Sequence, residues 1–499
     1  MTLAIIHSRS KQGIHAPAVT VEVHLSNGLP SLSIVGMPET AVKESKDRVR
    51  SALLNAHFEF PARRITINLA PADIPKEGSR YDLAIALGIL AASGQLPMEA
   101  LDSYEFIGEL ALNGELRPVD GVLPTAIACG KAGRTLVIPV SNGEEAALAH
   151  SAESLPADHL LSVCAHLRGT APLAPLAEMP RQLSTDNALD MADIIGQQQA
   201  RRALEIAASG HHNLLFSGPP GTGKTLLASR LPTIMPPLGE SEALETASIH
   251  SVAGLGLPRP FNQPPFRSPH HTSSSAALVG GGSVPRPGEI SLAHNGVLFL
   301  DELPEFPRKV LEVLREPLES GQIHLSRARA QISYPAKFML VAAMNPCPCG
   351  YLGSEKCRCT PDMIRRYRDK ISGPLLDRID LQLQVQPVPT QSLVRATQKG
   401  EGSEAIRRRV ITARHRQLAR QGKPNAHLQV DELRHHCLLG SREQQFIESA
   451  MVRLDLSARG YHRVLKVART IADLAASEVI DSQHIGEALA YRFQSGATG

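Results

Sequence analysis

The chain has 499 residues, a formal charge of +3 at pH 7 and seven cysteines. This length exceeds what one hydrophobic core holds and indicates about three domains, while so small a net charge gives no argument for nucleic-acid binding unless basic residues cluster locally. The first residues form too short an apolar run for a signal peptide, and no stretch approaches the roughly twenty apolar residues of a membrane span. We therefore expect a cytoplasmic protein without a membrane partner.

Residues 1–170 are predicted to form an α+β domain. Residues 19–36 alternate apolar and polar side chains around an Asn-Gly pair, which predicts strands on either side of a turn, and residues 39–56 have helical periodicity. Residues 171–187 contain several prolines and are predicted to be a semi-rigid linker to the rest of the chain.

The most informative motif is GPPGTGKT, which lies between an apolar run at residues 213–217 and a helical pattern. This is the setting of a phosphate-binding P-loop, in which glycines let backbone N–H groups face the phosphates. Lys224 is predicted to reach the outer phosphates and Thr225 to hold Mg²⁺. The predicted ATP- or GTP-binding residues are Gly218, Pro219, Pro220, Gly221, Thr222, Gly223, Lys224 and Thr225.

Two later apolar runs end in polar residues. The run VLFL at residues 297–300 favours a central parallel strand and is followed by Asp301 and Glu302. Asp301 is predicted to bind Mg²⁺ through water and Glu302 to orient and activate the attacking water, so hydrolysis is expected rather than nucleotide binding alone. A second predicted strand, residues 338–344, ends at Asn345, which is predicted to fix the same water.

Two basic segments are candidates for nucleic-acid contact. Residues 321–336 predict a β-hairpin with Arg327 and Arg329 near its tip, where cations alone suffice to contact DNA phosphates; a solvated tip is the alternative. Residues 406–423 hold six arginines, one lysine and no acid, and they either bind phosphates or form a solvated helix face.

Four of the seven cysteines form two C-x-C pairs. Thiolates this close in sequence can converge on a tetrahedral Zn²⁺, although C-x-C is tighter than the usual C-x₂-C spacing. A redox-sensitive loop is the alternative, and disulfides are a weaker explanation in a reducing cytoplasm. The predicted zinc ligands are Cys347, Cys349, Cys357 and Cys359.

The spacing of residues alone assigns no role to three other features. His270 and His271 are adjacent and would point to opposite faces of a strand, so a two-histidine metal site is not expected. Arg378 lies at a predicted helix end, and Arg463 lies in the amphipathic helix predicted over residues 457–475. Ordinary surface charge is the alternative for each arginine.

These motifs, in this order, resemble those of the AAA+ ATPases. Residues 190–499 are similar to the magnesium-chelatase-like branch, and the whole chain resembles the ComM (YifB) family. The segments that carry the resemblance, beside GPPGTGKT, are IIGQ (194–197), FRSPHHTSS (266–274), GEISLAHNGVLFLDELPEF (288–306), LREPLE (314–319), AMNPCPCG (343–350) and SGPLLDRIDL (372–381).

The resemblance implies an α/β ATPase domain over residues 188–390, a helical lid domain over residues 391–499, and a homohexamer that uses ATP and Mg²⁺. It implies that Ile195 contacts the nucleotide, and that the P-loop, the two carboxylates and Asn345 act within one chain. Arg378 resembles the arginine finger that reaches the neighbour's nucleotide, and Arg463 resembles the lid sensor. By analogy with related ring helicases, the hairpin would line a pore and contact DNA.

Residues 65–94 and 116–139 resemble the proteolytic domain of Lon. That chemistry needs a serine nucleophile and a lysine base. Arg80 stands where the serine should be, Ser79 is one position early, and the segment at Thr125 has no lysine. We expect a Lon-protease-like fold that has lost its dyad and is kept for assembly or nucleic-acid binding.

Together these inferences predict a hexameric DNA motor. The resemblance implies ATP-driven branch migration of recombination intermediates during natural transformation, with recombination proteins as possible partners. The alternatives are a chelatase-type motor that remodels a protein partner, an ATP-dependent protease, which the missing dyad argues against, and a nucleotide-switched scaffold, which Glu302 and Asn345 argue against.

Overall fold

The computed structural model describes residues 2–176, 189–258, 260–282, 285–327, 330–388, 400–454 and 456–492. Most of the predicted linker, and the proposed boundaries at 187/188 and 390/391, lie outside these ranges. Those boundaries remain predictions. Among the described residues, no helix is both long and apolar enough to cross a membrane.

The N-terminal unit is built on a mixed seven-stranded sheet in the order β3-β4-β2-β1-β5-β8-β9. Its elements are β1 (Thr2–Arg9), β2 (Ala18–Ser26), β3 (Ser31–Val35), α1 (Thr40–Asn55), β4 (Arg64–Ala70), α2 (Asp82–Ala92), β5 (Tyr104–Phe106), β6 (Glu109–Leu110), β7 (Leu116–Arg117), α3 (Val122–Lys131), β8 (Thr135–Pro139), α4 (Gly143–Ala146), β9 (Ser154–Ala157) and α5 (Leu160–Leu167), with a 3₁₀ turn over Val140–Asn142.

The alternation in the sequence determines which face of this sheet is buried. In β2 the side chains of Val19, Val21, Val23 and Leu25 face the core, and the polar residues between them face outward. The expected strands and helix are present, but β2 and β3 do not pair with each other. Strand β4 lies between them, antiparallel to β2 and parallel to β3.

The segment predicted to be an ATPase, residues 189–388 and called the ATPase unit below, contains a five-stranded parallel sheet in the order β11-β14-β17-β10-β18. Its elements are α6 (Gln198–Gly210), β10 (Leu214–Ser217), α7 (Lys224–Ile234), α8 (Glu240–Ala253), β11 (Phe266–Arg267), α9 (Ser275–Val279), β12 (Gly280–Gly281), β13 (Arg286–Pro287), α10 (Glu289–Leu292), β14 (Val297–Leu300), α11 (Arg308–Glu312), α12 (Arg315–Ser320), β15 (Gln322–Arg327), β16 (Ala330–Pro335), β17 (Met339–Met344), α13 (Pro361–Arg368), α14 (Gly373–Leu376) and β18 (Leu381–Gln384), with 3₁₀ turns over Met191–Asp193 and Leu303–Glu305.

The C-terminal region is helical and shares a hydrophobic core with this sheet. Ile406, Val410 and Val464 belong to the same buried cluster as the sheet residues Leu214 and Val341. Its elements are α15 (Ser403–Gln421), α16 (Val430–His436), α17 (Ser441–Arg453), α18 (Ala458–Leu474) and α19 (Ser482–Ala490), with a 3₁₀ turn over Asn425–His427.

The carboxyl ends of the parallel strands form one edge of the sheet, the carboxyl edge, and their amino ends form the opposite one, the amino edge. Strands β10, β14 and β17 are apolar and fully covered except at Ser217, as expected for a central parallel sheet. Because all five strands run the same way, their carboxyl ends meet at one edge, where ligands of open α/β sheets bind. The P-loop, Asp301 and Asn345 follow these three strands at that edge.

Candidate nucleotide site and cysteine cluster

The P-loop is shaped by three of its glycines. Gly218 approaches another strand so closely that an added methyl group would lie 2.4 Å from the carbonyl oxygen of Val385. Gly221 and Gly223 have φ angles of +79° and +84°, which side-chain-bearing residues rarely adopt, and Gly223 is the N-cap of α7. The loop therefore presents its backbone at a helix N-terminus, where N–H groups and the helix dipole attract phosphate.

Lys224 connects the P-loop to the end of β17. Its ammonium group donates to the carbonyl oxygens of Gly218 and Pro219 at 2.8 and 2.9 Å, and to Oδ1 of Asn345 at 3.3 Å. Burial lowers its pKa, against the opposing effect of Asp301 and Glu302. The side chain that is predicted to reach the phosphates thus lies in the same small space as the predicted water-fixing amide.

Thr225 and Asp301 fit a magnesium site. The Thr225 hydroxyl donates to a carboxylate oxygen of Asp301 at 2.7 Å, so two oxygen ligands of the kind that Mg²⁺ prefers lie together beside the P-loop. When bound there, Mg²⁺ would neutralise the charge of the phosphate oxygens. Thr225 and Asp301 would hold the ion, while Lys224 would add a second positive charge on the other side of the loop.

Glu302 is held by a histidine that sequence reasoning missed. Nδ1 of His271 lies 3.1 Å from a carboxylate oxygen of Glu302, and the ring also meets Phe306 edge-on. The rings of His270 and His271 are 4.2 Å apart, so the expectation that they point to opposite faces is wrong. The reason is that β11 ends at Arg267 and these histidines lie in an irregular segment beyond it.

Ile195 and Gln197 lie on the chain that enters the ATPase unit. Ile195 is 37% exposed, so its side chain is accessible beside the P-loop segment. Gln197 donates to the carbonyl oxygens of Thr222 in the P-loop, at 3.4 Å, and of Gln386, at 2.7 Å. These contacts bring the segment to the P-loop; the contact of Ile195 with a nucleotide stays a prediction.

The four predicted zinc ligands converge. All four Sγ atoms lie within 4.8 Å of one another, and three of the separations are 3.4, 3.7 and 3.9 Å. A tetrahedral zinc with bonds of about 2.3 Å places its sulfurs about 3.8 Å apart, so the arrangement fits that metal. Backbone N–H groups of Tyr351 and Arg358 lower the pKa of the Cys349 thiol to about 6, which favours the ligating thiolate.

The cysteine loop packs directly on the P-loop. Gly350, at φ +83°, lies so close to Pro220 that an added methyl group would be 2.6 Å from its Cδ, and it would be 3.8 Å from Cγ of Asn345. A change in the conformation of the cysteine loop would therefore displace both the P-loop and the predicted water-fixing residue.

Arg378 and Arg463 lie at the opposite edge of the sheet. The backbone of Asp380 pairs with that of Asn213, before β10 begins, and its carboxylate accepts from Arg463 at 2.6 Å. The carbonyl of Arg378 accepts from the Asn213 amide at 2.9 Å. The P-loop begins five residues after Asn213, roughly 15 Å further along the strand.

Neither arginine therefore reaches a nucleotide in the P-loop of its own chain in this arrangement. The buried side chain of Arg378 donates to the Pro374 carbonyl and to Glu319, which is largely exposed. Asp380 also lies 3.3 Å from His212, which extends the buried polar network below β10. The contact of Arg378 with a neighbour's nucleotide and the role of Arg463 as the lid sensor stay predictions.

Most arginines of the basic segment 406–423 bond to protein acceptors, which agrees better with a helix face than with a phosphate site. Arg414 donates to the carbonyls of Ala208 and Ser209 at the end of α6, where a cation is favoured, and burial lowers its pKa to about 10. Arg408, Arg409 and Arg416 are exposed, so this part of α15 is a solvated helix face, one of the two predicted alternatives. Other guanidinium groups of the segment also bond to protein acceptors, namely Arg407 to Thr233, Arg409 to Glu205 and Glu401, and Arg416 and Arg420 to Asp473.

The hairpin predicted over residues 321–336 is present. Its two strands pair antiparallel from Gln322 opposite Pro335 to Arg327 opposite Ala330. Arg329 lies outside the described residues, as does the side chain of Arg327, so their contact with DNA stays a prediction.

The positions that correspond to the Lon dyad hold other contacts. Arg80 is buried and donates to the Thr125 hydroxyl at 3.0 Å, so the two aligned segments meet in space. Ser79 donates instead to Glu109. The Lon-protease-like fold of the N-terminal unit stays a prediction.

Comparison with known proteins identifies the family. Models of magnesium chelatase subunit ChlI match residues 190–393 and 21–142, and a model of the ChlI C-terminal region matches residues 400–492. The competence protein ComM of Haemophilus influenzae is 53% identical over 497 residues, covering 99% of this chain and 98% of that protein. The chain belongs to the ComM/YifB family of magnesium-chelatase-like proteins.

Other relatives show how far the similarity extends. The YifB protein of Salmonella typhimurium is 53% identical over 494 residues, 99% of this chain and 97% of that protein. The magnesium-chelatase 67 kDa subunit of Heliobacterium mobile is 27% identical over 190 residues, 32% of this chain and 28% of that protein. Membership of this AAA+ family implies an ATPase that uses ATP and Mg²⁺, in agreement with the geometry at Lys224, Thr225 and Asp301.

Proposed function

We propose that this ATPase is a hexameric DNA motor that drives branch migration of recombination intermediates during natural transformation. The position of Arg378 is the observation that supports a hexameric ring. A guanidinium that completes an ATP site is worth about 10³–10⁵ in turnover, yet Arg378 lies at the sheet edge away from the P-loop of its own chain. Arg378 would therefore contact the nucleotide that is bound to a neighbouring subunit.

In the proposed reaction, Lys224 binds the phosphate oxygens and Asn345 holds water beside them. Glu302 accepts a proton from the attacking water, and His271 keeps that carboxylate in place. The full-length similarity to a protein named for competence supports a role in transformation.

The proposed DNA contact is the tip of the β15–β16 hairpin, through Arg327 and Arg329. The exposed face of the hairpin strands carries His324, Ser326, Gln331 and Ser333. Such a surface follows a phosphate backbone by charge and hydrogen bonding and does not stack bases.

The deciding experiment compares turnover without DNA and with single-stranded, duplex and four-way-junction DNA of equal nucleotide content. We expect stimulation, largest with the junction, and a steep loss of affinity with salt. The double variant Arg327→Ala/Arg329→Ala should keep basal turnover and show a shallower salt slope, by about 1 for each lost phosphate contact. Arg453→Ala removes an exposed arginine at the end of α17, away from the hairpin and the basic segment, and is the control.

A chelatase-type motor that remodels a protein partner is the second candidate, because the matching family models are named for magnesium chelatase. For a chelatase-type motor we expect that no form of DNA changes the rate of ATP hydrolysis. That result would favour it over the DNA motor.

We also propose that the four-cysteine cluster holds one structural zinc ion. The separations between its sulfurs fit tetrahedral coordination. A redox-sensitive loop remains the competing use of the same thiols.

A further inference from the structure

The loop between β1 and β2, residues 10–17, is a braced turn. Gln12 and His15 exchange backbone hydrogen bonds of 2.9 and 3.0 Å. At the base of the loop, Arg9 donates to both carboxylate oxygens of Glu105, at 2.5 and 2.9 Å, and both side chains are buried. A buried bidentate pair tolerates little change in geometry, so the loop keeps one orientation relative to the N-terminal sheet.

This loop touches the β15–β16 hairpin at Gly13. Gly13 is buried at φ +60°, and a methyl group added there would lie 2.8 Å from Cγ2 of Ile332 and 3.4 Å from the carbonyl oxygen of Ser333. The next residue, Ile14, packs against the same core cluster as the hairpin. The approach requires glycine for two reasons, the backbone angle and the space.

The contact falls on the one apolar face of the hairpin. The cross-strand pairs Ile323 with Tyr334 and Leu325 with Ile332 are buried on this face. The Tyr334 hydroxyl donates at 3.0 Å to the carbonyl of Pro285, beside the small hairpin β12–β13. Loop, large hairpin and small hairpin therefore meet around one tyrosine ring.

A second contact joins the N-terminal unit to the ATPase unit at α8. The Gly121 N–H donates to the Ser251 carbonyl at 3.1 Å, and the Ser251 hydroxyl donates to Glu145. Ala247 of α8 belongs to a buried cluster made largely of N-terminal residues, including Val122 and Leu123 of α3. The N-terminal unit thus holds α8 at one place and the hairpin at another.

We propose that the N-terminal unit supports the β15–β16 hairpin, and that its β1–β2 loop sets the orientation in which the hairpin strands meet DNA. The DNA part of this inference rests on the proposed function. The buried face of the hairpin belongs to the same core cluster as Leu298 and Leu340 of the ATPase sheet, and the contact at Gly13 adds a support from the N-terminal unit. Because a two-stranded ribbon is marginally stable alone, this added support limits the movement of the hairpin strands.

The test compares Gly13→Ala with Gly133→Ala. Both glycines have φ near +65°, at +60° and +69°, but Gly133 has open space where a methyl group would go. Both variants carry the same backbone strain, and only Gly13→Ala pushes on Ile332. We expect Gly13→Ala to keep basal turnover and to lose roughly fivefold in DNA-stimulated turnover, equivalent to about 1 kcal/mol. Gly133→Ala should behave as the wild type.

Hydrogen exchange over residues 322–335 provides a readout that does not depend on DNA. Gly13→Ala should exchange faster there than Gly133→Ala, and the added change Ile332→Ala, which removes the clashing methyl, should partly restore DNA-stimulated turnover. Equal hydrogen exchange over these residues in the two single variants would overturn the proposal that the N-terminal unit supports the hairpin. Faster exchange with unchanged DNA stimulation overturns its role on DNA, and a wild type whose turnover ignores DNA overturns the proposed function itself.

Discussion

The two edges of the ATPase sheet differ in what their polar side chains already contact. At the carboxyl edge, Lys224 meets Asn345 and Thr225 meets Asp301, so the groups for binding and hydrolysis are assembled within one chain. At the amino edge, the guanidinium groups of the two predicted ATP-site arginines are bonded to carboxylates of the same chain. In the proposed ring, these two edges would form one ATP site between neighbouring chains.

Changing the carboxyl edge should give the largest effect. Glu302→Gln keeps the shape of the side chain and removes the base, so turnover should fall by about 10²–10⁴-fold while ATP still binds. Lys224→Ala removes charge that compensates the phosphates and should lose binding as well. Steady-state hydrolysis and a fluorescent-nucleotide titration separate the two. Turnover of Glu302→Gln at the wild-type rate would mean that another residue activates the water.

Changing the amino edge tests whether the two parts meet between chains. Arg378→Ala should lose turnover on the order of 10³-fold with little change in ATP affinity. Mixing it with Lys224→Ala protein should restore part of the activity, because mixed rings contain interfaces with an intact P-loop and an intact arginine. Mass spectrometry or cross-linking shows whether mixed rings form; no recovery once they do would remove Arg378 from the neighbour's site.

The cysteine loop offers a smaller perturbation of the carboxyl edge. Purified protein should carry about one zinc per chain, and a chelator should weaken ATP binding by roughly tenfold, since the loop packs on Pro220. Cys359→Ser should lose the metal, whereas Cys437→Ala, a thiol buried among the C-terminal helices, should keep it. Elemental analysis and nucleotide titration are the measurements. Reduced protein prepared without chelator that contains no metal would leave the redox-sensitive loop.

The smallest expected effect concerns the orientation of Glu302. His271→Ala removes one hydrogen-bonding partner of this carboxylate and should lower kcat about fivefold without changing KM for ATP. His271→Gln should recover part of the rate because its amide can donate to the same oxygen. His270→Ala removes the ring beside His271 and its contact with Thr272 but keeps the His271–Glu302 contact, so it is the control for packing between the two rings. Equal kinetics of the two alanine variants would show that the His271 contact has no catalytic role.

Much of the carboxyl edge could be predicted because its residues occupy fixed places beside regular elements. A glycine-rich loop between a strand and a helix is typical of a phosphate-binding site. A buried strand that ends in two carboxylates is typical of the acidic residues that accompany such a site. Lys224, Thr225, Asp301 and Asn345 therefore came together as their order suggested. The four thiols also converge as their sequence proximity indicated.

The sequence by itself determined the order of the elements, the P-loop and the alternation that defines the buried faces, because these depend on local backbone geometry and on side-chain period. Only the tertiary structure decided that His271 meets Glu302, that the arginines of α15 bond to protein acceptors, and that Gly13 lies against Ile332. Each of these contacts joins residues from different elements. Their geometry depends on how the whole chain packs, which no local pattern of residues specifies.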